Sequence, residues 1–170
     1  MSAKPVLSRT QNALHLVEVH LRPEFPDAEG ASALALLQGL GLTAAREVRV
    51  SRLYRLQGPL NASQAQQAAR ELLCDPVTED YRLASPGTAV SNGMTHWRVE
   101  VWLKDSVTDP VGETVAAALA EMGLAKPSSV RVGTAYRIAG RCHRAQLERA
   151  VTRSLANPVI HAFTVAEAHP

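Results

Sequence analysis

Aromatic residues are scarce in this sequence of 170 residues, at 4% of the total, so alanine, valine and leucine must fill most of any core. Cysteine occurs twice, at Cys74 and Cys142, in no CxxC pair and no disulfide framework. We therefore expect two unpaired thiols in a reducing, cytoplasmic compartment. No window approaches the length of a membrane span, and residues 1–12 lack the apolar segment of a secretory signal.

Charge of one sign is not in excess either. The formal net charge is +2, with 20% charged residues, and the basic residues are scattered rather than interleaved with aromatics. This pattern gives little support to a nucleic-acid or membrane-surface role.

What the sequence does contain is a repeat. The pattern V-R-V-x-x-x-Y-R-[LI]-x-G occurs at Val48–Gly58 and returns 82 positions later at Val130–Gly140. The same shift aligns residues 17–83 with 99–165 without a gap, and roughly 30% of the aligned positions are identical. The sequence therefore predicts an internal duplication.

Each half has the same predicted order of elements. Alternating apolar residues predict a first strand over 16–21, and Asp27 is a suitable N-cap for a helix over 27–40 that Gly41 would end. The repeated pattern predicts a long second strand over 48–58. A second helix from Asn61 and a third strand over residues 77–83 complete the half. The apolar stripe of the first helix is predicted to be Ala33, Leu34, Leu37 and Leu40.

The repeats define the domain organisation. We predict a flexible lead-in over 1–14, a first repeat over 15–84, a linker over 85–95 rich in small and breaker residues, and a second repeat over 96–166.

The fold class follows from this order. Two tandem β-α-β-α-β units, with helices on one face of a small sheet, make an α+β two-layer sandwich related to ferredoxin-like folds. A unit of roughly 70 residues is marginal alone, so the two units should pack on one another. The long strands, Val48–Gly58 and Val130–Gly140, are expected to share hydrogen bonds across a pseudo-twofold axis, as in a dimer.

No residue set predicts catalysis or metal binding. The six histidines show no HxxH or HExxH spacing and are not repeated between the halves. Gly30 and Gly112 recur in the first turn of a helix, where either an anion or a structural turn would explain them, and we favour the turn. Glu18 and Glu100 are expected to form cross-strand ion pairs. The predicted partners are Arg49 or Arg55 for the first, and Arg131 or Arg137 for the second.

The order of motifs resembles the PurS family, the small subunit of phosphoribosylformylglycinamidine (FGAM) synthase. The residues that carry the resemblance in the first half are Val17, Val19, Leu21, Arg22, Pro23, Asp27, Gly30, Val48, Arg49 and Pro76-Val77. Those in the second half are Val99, Val101, Leu103, Lys104, Asp109-Pro110, Gly112, Val130-Arg131-Val132-Gly133 and Asn157-Pro158-Val159-Ile160. The family's G-K pair is replaced by Ser51-Arg52 and Gly133-Thr134, and its K-P pair by Lys104-Asp105 in the second half.

The resemblance implies a non-catalytic scaffold in purine biosynthesis. PurS-like chains bridge a glutaminase subunit and an ATP-dependent synthetase subunit, so ATP, Mg and glutamine would be used by the partners and no cofactor by this chain. A tandem copy resembles a fused PurS dimer that could also self-associate. The implied contact residues lie in loops 22–30 and 104–112 and on the long strands: Arg22, Pro23, Asp27, Gly30, Arg49, Arg52, Arg55, Lys104, Asp109, Gly112, Arg131 and Arg137.

A tandem ACT-like module that binds a small metabolite between its halves is the alternative. That pattern expects βαββαβ with a glycine-containing turn after the first strand. Here the corresponding turns carry Pro23 and Asp105, and the sequence has no obvious fourth strand.

Overall fold

A computed structural model describes residues 12–84 and 96–168, and the predicted linker lies outside these ranges. The first half consists of β1 Ala13–Leu21, α1 Ala28–Gly39, β2 Ala45–Gly58, α2 Ala62–Ala68, which continues as a π-helical turn over Ala69–Leu73, and β3 Glu79–Ala84. The second half consists of β4 His96–Leu103, α3 Pro110–Glu121, β5 Ser129–Gly140, α4 Arg144–Ser154 and β6 His161–Ala168. The two halves thus repeat the predicted β-α-β-α-β order.

All six strands form one antiparallel sheet in the order β3-β1-β2-β5-β4-β6. The long strands β2 and β5 pair at its centre, from Ala45–Gly140 to Gln57–Ser129. Arg52 and Thr134, which are 82 positions apart and so equivalent in the repeat, lie opposite one another in this ladder. The pseudo-twofold axis therefore passes between these two residues, and the predicted pseudo-dimer is confirmed.

The four helices pack on one face of the sheet and bury two cores, each built from both halves. One core joins α1 to α4 through Leu37 and Val151, and the other joins α2 to α3 through Ala68 and Leu119. Neither half encloses a core by itself, because each core contains one helix from the first half and one from the second. Burial of apolar surface contributes about 25 cal/mol of stability per Å². Because each core contains residues of both halves, this contribution requires the two halves to fold together.

Local sequence signals explain where the helices begin and end. Asp27 and Asp109 cap α1 and α3, and each accepts a hydrogen bond from the amide of the third residue on. Asn61 forms the predicted capping box with Gln64 at the start of α2. Gly41 ends α1 with a φ of +93°, a conformation that favours glycine.

Three local predictions were wrong. The predicted lead-in included Ala13 and Leu14, but β1 begins at Ala13 because its pairing with β2 extends to Gly58, the last residue of β2. Leu40 is exposed rather than part of the buried stripe, since it lies beyond the last turn of α1. Val77 lies in a turn before β3, where the Asp75 side chain accepts a hydrogen bond from its amide.

Candidate functional site

Two equivalent turns, 75–78 and 157–160, precede the third strand of each half, and we call them the end turns. Arg22 donates a hydrogen bond to the carbonyl of Pro76 at 3.0 Å, and its repeat equivalent Lys104 donates to the carbonyl of Pro158. The basic residue at the end of the first strand of each half therefore fixes the neighbouring end turn. This shared contact gives a structural reason for a basic residue at this position in both halves.

Each end turn presents a large apolar side chain to solvent. Val77 is 68% exposed and its equivalent Val159 is 76% exposed. Pro23 is also exposed, next to the first end turn. Single exposed aliphatic residues are common on protein surfaces, but the recurrence of this one at the same position in both halves makes it a candidate contact residue.

The end turns lie at opposite edges of the sheet. β1 is antiparallel to β2, β2 to β5, and β5 to β4. β1 and β4 therefore run in opposite directions, so the loops that follow them leave at opposite ends of the strands, and the end turns precede the two edge strands, β3 and β6. The predicted contact residues of loops 22–30 and 104–112 thus form two separate surfaces rather than one.

Four of the predicted contact residues hold the helices onto the sheet. Asp27 accepts hydrogen bonds from the amides of Gly30, at 2.7 Å, and Val50, at 2.8 Å. Asp109, which is 6% exposed, makes the equivalent pair with Gly112 at 2.8 Å and Val132 at 2.7 Å.

The two glycines allow the close approach of helix and strand. A Cβ on Gly30 would lie 2.2 Å from the carbonyl oxygen of Val48, and one on Gly112 would lie 2.2 Å from that of Val130. Both glycines are buried, so they act by positioning the helix against the strand rather than by contacting a partner directly. This agrees with the structural turn favoured from the sequence.

Three of the predicted arginines bind groups within the chain. Arg52 forms an ion pair with Glu79 at 2.7 Å, and Arg49 lies 3.9 Å from the carboxylate of Asp27. Arg131 donates to the carbonyl of Leu103, the last residue of β4, at 2.7 Å and to carbonyls of the segment that follows. Their guanidinium groups therefore stabilise the fold as well as line its surface.

The face of the sheet opposite the helices, which we call the helix-free face, carries a charge network. Glu18, which is 4% exposed, accepts two hydrogen bonds from Arg98, each at 3.1 Å. It also forms an ion pair with Arg82 at 3.2 Å. Arg98 also donates to Glu100 at 2.8 Å. Burial would raise the pKa of Glu18, but the hydrogen bonds and charge of Arg98, with the charge of Arg82, hold it below its ordinary value.

The predicted partners of the two glutamates were wrong. Glu18 pairs with Arg82 and Arg98 rather than Arg49 or Arg55, because the register places Leu53 opposite it. Glu100 pairs with Arg98 rather than with Arg131 or Arg137, since Ala135 is opposite it on β5. Sequence reasoning missed Arg98 because its repeat equivalent is Leu16, so no repeated signal marks it.

Arg55 and Trp102 form a second contact between the halves on this face. The guanidinium carbon of Arg55 lies 4.4 Å from the centre of the Trp102 ring. The ring packs over Gly133, where a Cβ would lie 2.6 Å from it. Trp102 also donates to Glu100 at 3.3 Å. This contact is not repeated in the first half, because the residues equivalent to Trp102 and Gly133 are His20 and Ser51.

Arg137, the last of the predicted contact residues, also lies on the helix-free face. It is opposite Arg49 on β2 and opposite Arg98 on β4.

The described part of the chain contains no group of three or more His, Cys, Asp or Glu that could hold a metal ion. None of its helices is long and apolar enough to cross a membrane. Residues 12–84 and 96–168 contain a charged sheet face and two separate surfaces, each made of an end turn with the loop beside it (22–30 with 75–78, and 104–112 with 157–160), which we call the end surfaces.

The comparison with protein families agrees with this architecture. The model of the PurS family, described as phosphoribosylformylglycinamidine (FGAM) synthase, matches two tandem segments, 15–86 and 96–168. The chain belongs to the PurS family. A search of curated proteins found no match.

Membership of the PurS family relates the role of this chain to FGAM synthase and purine biosynthesis, and supports protein partners in general. The two matched segments correspond to the two halves of the sheet, so this chain carries a tandem duplication of the PurS unit. The role of the predicted contact residues at a partner interface stays a prediction.

Proposed function

We propose that this chain is a non-catalytic subunit of FGAM synthase that bridges a glutaminase subunit and an ATP-dependent synthetase subunit. The observation that carries the proposal is the pair of end surfaces, each with an exposed valine, at opposite edges of one sheet. A bridge needs two attachment surfaces that face apart, and the fused pseudo-dimer supplies them without an assembly step.

Differences between the two end surfaces support different partners for each. The first combines Arg22 and Pro23 with Val77, whereas the second combines Lys104 and Asp105 with Val159. A chain that is free to diverge between its repeats can fit one end to each enzyme, which a dimer of identical chains cannot do. In this proposal ATP, Mg and glutamine belong to the chemistry of the partners.

The physical benefit of a bridge is retention of ammonia. A glutaminase releases ammonia, and a synthetase must use it before it escapes or takes up a proton. Holding the two sites together raises the effective concentration of the shared intermediate. The bridge should therefore affect reactions that start from glutamine and not those that start from added ammonia.

The test is a reconstitution in which FGAM formation is measured with glutamine and, separately, with ammonium chloride. Adding the chain to the two enzyme subunits should raise the glutamine-dependent rate and leave the ammonia-dependent rate nearly unchanged. If omission of the chain changes neither rate, the bridging role is wrong.

Two single variants locate the attachment surfaces. Val77→Lys and Val159→Lys place a charge on exposed positions and should leave folding intact, but each should weaken co-purification with one partner. Leu36→Lys, at a residue 53% exposed on α1, is the matched control. Loss of binding in the control but in neither valine variant would place the contacts on the helices instead.

The ACT-like alternative receives no support from the strand count. Each half has three strands in the described part of the chain, where the ACT pattern needs four.

A further inference from the structure

We propose that Arg137, with Arg49 and Arg98 beside it, binds an oxyanion, a phosphate or carboxylate group, on the helix-free face. The proposal does not depend on the bridging role.

The first observation is a row of like charges. Arg49 on β2, Arg137 on β5 and Arg98 on β4 occupy directly opposed positions on three neighbouring strands. Like charges directly opposite one another destabilise a sheet. An anion bound to any member of the row that lacks a carboxylate partner would reduce this repulsion.

The second observation is that the middle arginine has no partner. Arg98 binds Glu18 and Glu100, and Arg49 lies 3.9 Å from Asp27. Within residues 12–84 and 96–168, Arg137 makes no hydrogen bond and no ion pair. It is half-buried, and burial, followed by repulsion from Arg82, lowers its pKa from the ordinary value, although the charge of Glu18 acts in the opposite direction.

The third observation is the contrast with the equivalent positions. The repeat equivalents of Arg137 and Arg49 are Arg55 and Arg131, which also lie opposite one another. There the charges are engaged, since Arg55 packs on Trp102 and Arg131 donates to three backbone carbonyls. The repeated arginine pair therefore has side-chain contacts at one end of the face, whereas at the other end Arg137 has no hydrogen bond or ion pair within residues 12–84 and 96–168.

A neighbouring polar atom also lacks a partner. Nδ1 of His20 is buried without a hydrogen bond, and within the described residues it is the only side-chain nitrogen or oxygen in that state. The charges of Arg82 and Arg137 both act on this imidazole. The same face thus combines a fork-shaped donor, which matches an oxyanion in two hydrogen bonds, with a second unsatisfied group.

Thermal unfolding of the whole chain tests the proposal with inorganic phosphate and with acetate, each against chloride at equal ionic strength. At ten times its dissociation constant, a probe should raise the Tm by about 3–6 °C. Arg137→Gln should abolish the rise, and Arg55→Gln, the matched control, should retain it. Without a probe, Arg137→Gln should have a higher Tm than the parent, because the repulsion in the row is removed.

The two probes distinguish the sources of the oxyanion. A rise with phosphate alone indicates a phosphate ester, and a rise with acetate indicates a carboxylate of a ligand or partner. If neither probe raises the Tm, or if Arg137→Gln responds like the parent, the proposal is overturned.

A second measurement on the parent chain keeps the test valid if the variant fails to fold. The Nε–H signal of Arg137 in an NMR titration should move with the probe, while that of Arg55 stays in place. Equal movement of both signals would mean non-specific screening and would equally overturn the proposal.

Discussion

The carboxylate of Glu18 in the first repeat accepts two hydrogen bonds from the guanidinium of Arg98 in the second, each at 3.1 Å. The two residues lie on β1 and β4, with β2 and β5 between them in the sheet. Their side chains therefore meet over the centre of the helix-free face, where Ser51 and Ala135 are buried. This ion pair joins the two repeats on the side of the sheet that no helix covers.

Removal of the Glu18 charge should destabilise the chain strongly. Glu18→Gln leaves Arg82 partly buried without a counter-ion and Arg98 with Glu100 alone, and breaking a buried pair costs about 3 kcal/mol or more. Its repeat equivalent gives the matched control, since Glu100 is more exposed and Glu100→Gln should cost about 1 kcal/mol or less. Urea unfolding measures both. Equal losses would show that Glu18 has no special role in joining the repeats.

The sequence predicted what is local or repeated, and missed what depends on the packing of one repeat against the other. Asp27 as N-cap and the Asn61 capping box follow from spacing within one turn of helix, and both were confirmed. The pairing of the long strands followed from the length and repetition of their pattern. The partner of Glu18 could not be found in this way, because register and side-chain reach across β2 and β5 decide it.

The contact between Trp102 and Gly133 should tolerate no added methyl group. A Cβ at position 133 would lie 2.6 Å from the ring, so Gly133→Ala must displace it from Arg55. Overpacking of this kind costs about 1–3 kcal/mol. In a double-mutant cycle, the loss should be smaller in a Trp102→His background, because the bulky ring is absent. An equal loss in both backgrounds would assign the effect to the backbone.

Substitutions of Asp109, the capping aspartate of α3, should lower the free energy of unfolding in proportion to the number of acceptor oxygens they remove. Asp109→Ala removes the acceptor of two amides, of Gly112 and Val132, and should cost about 2–4 kcal/mol. Asp109→Asn keeps one acceptor oxygen and should cost less. Asp105→Ala, at an exposed position of the same loop, should stay within about 0.5 kcal/mol of the parent. The free energy of unfolding in urea tests the order, and an alanine variant no worse than the asparagine variant would contradict it.

Stability should fall in acid in two separate steps. Burial and the charge of Arg82 lower the pKa of His20 from about 6.5, with Arg137 acting in the same direction and Glu18 and Asp80 opposing it. Below pH 6.5 the unfolded chain therefore binds a proton that the folded chain resists, and the free energy of unfolding decreases until the pH falls below the folded pKa. Glu18 acts lower, because its pKa is held below 4.5 and its contribution is lost as the pH falls through the folded value.

The variant His20→Gln separates these two steps. Glutamine cannot titrate, so the decrease between neutral pH and about pH 5 should become smaller while the decrease below about pH 4.5 remains. Glu18→Gln should do the reverse, although from a lower starting stability. Urea unfolding from pH 8 to pH 3 gives both curves. If His20→Gln has the same pH profile as the parent, then His20 takes up its proton freely in the folded state, and the arginines of the helix-free face do not disfavour the charged imidazole.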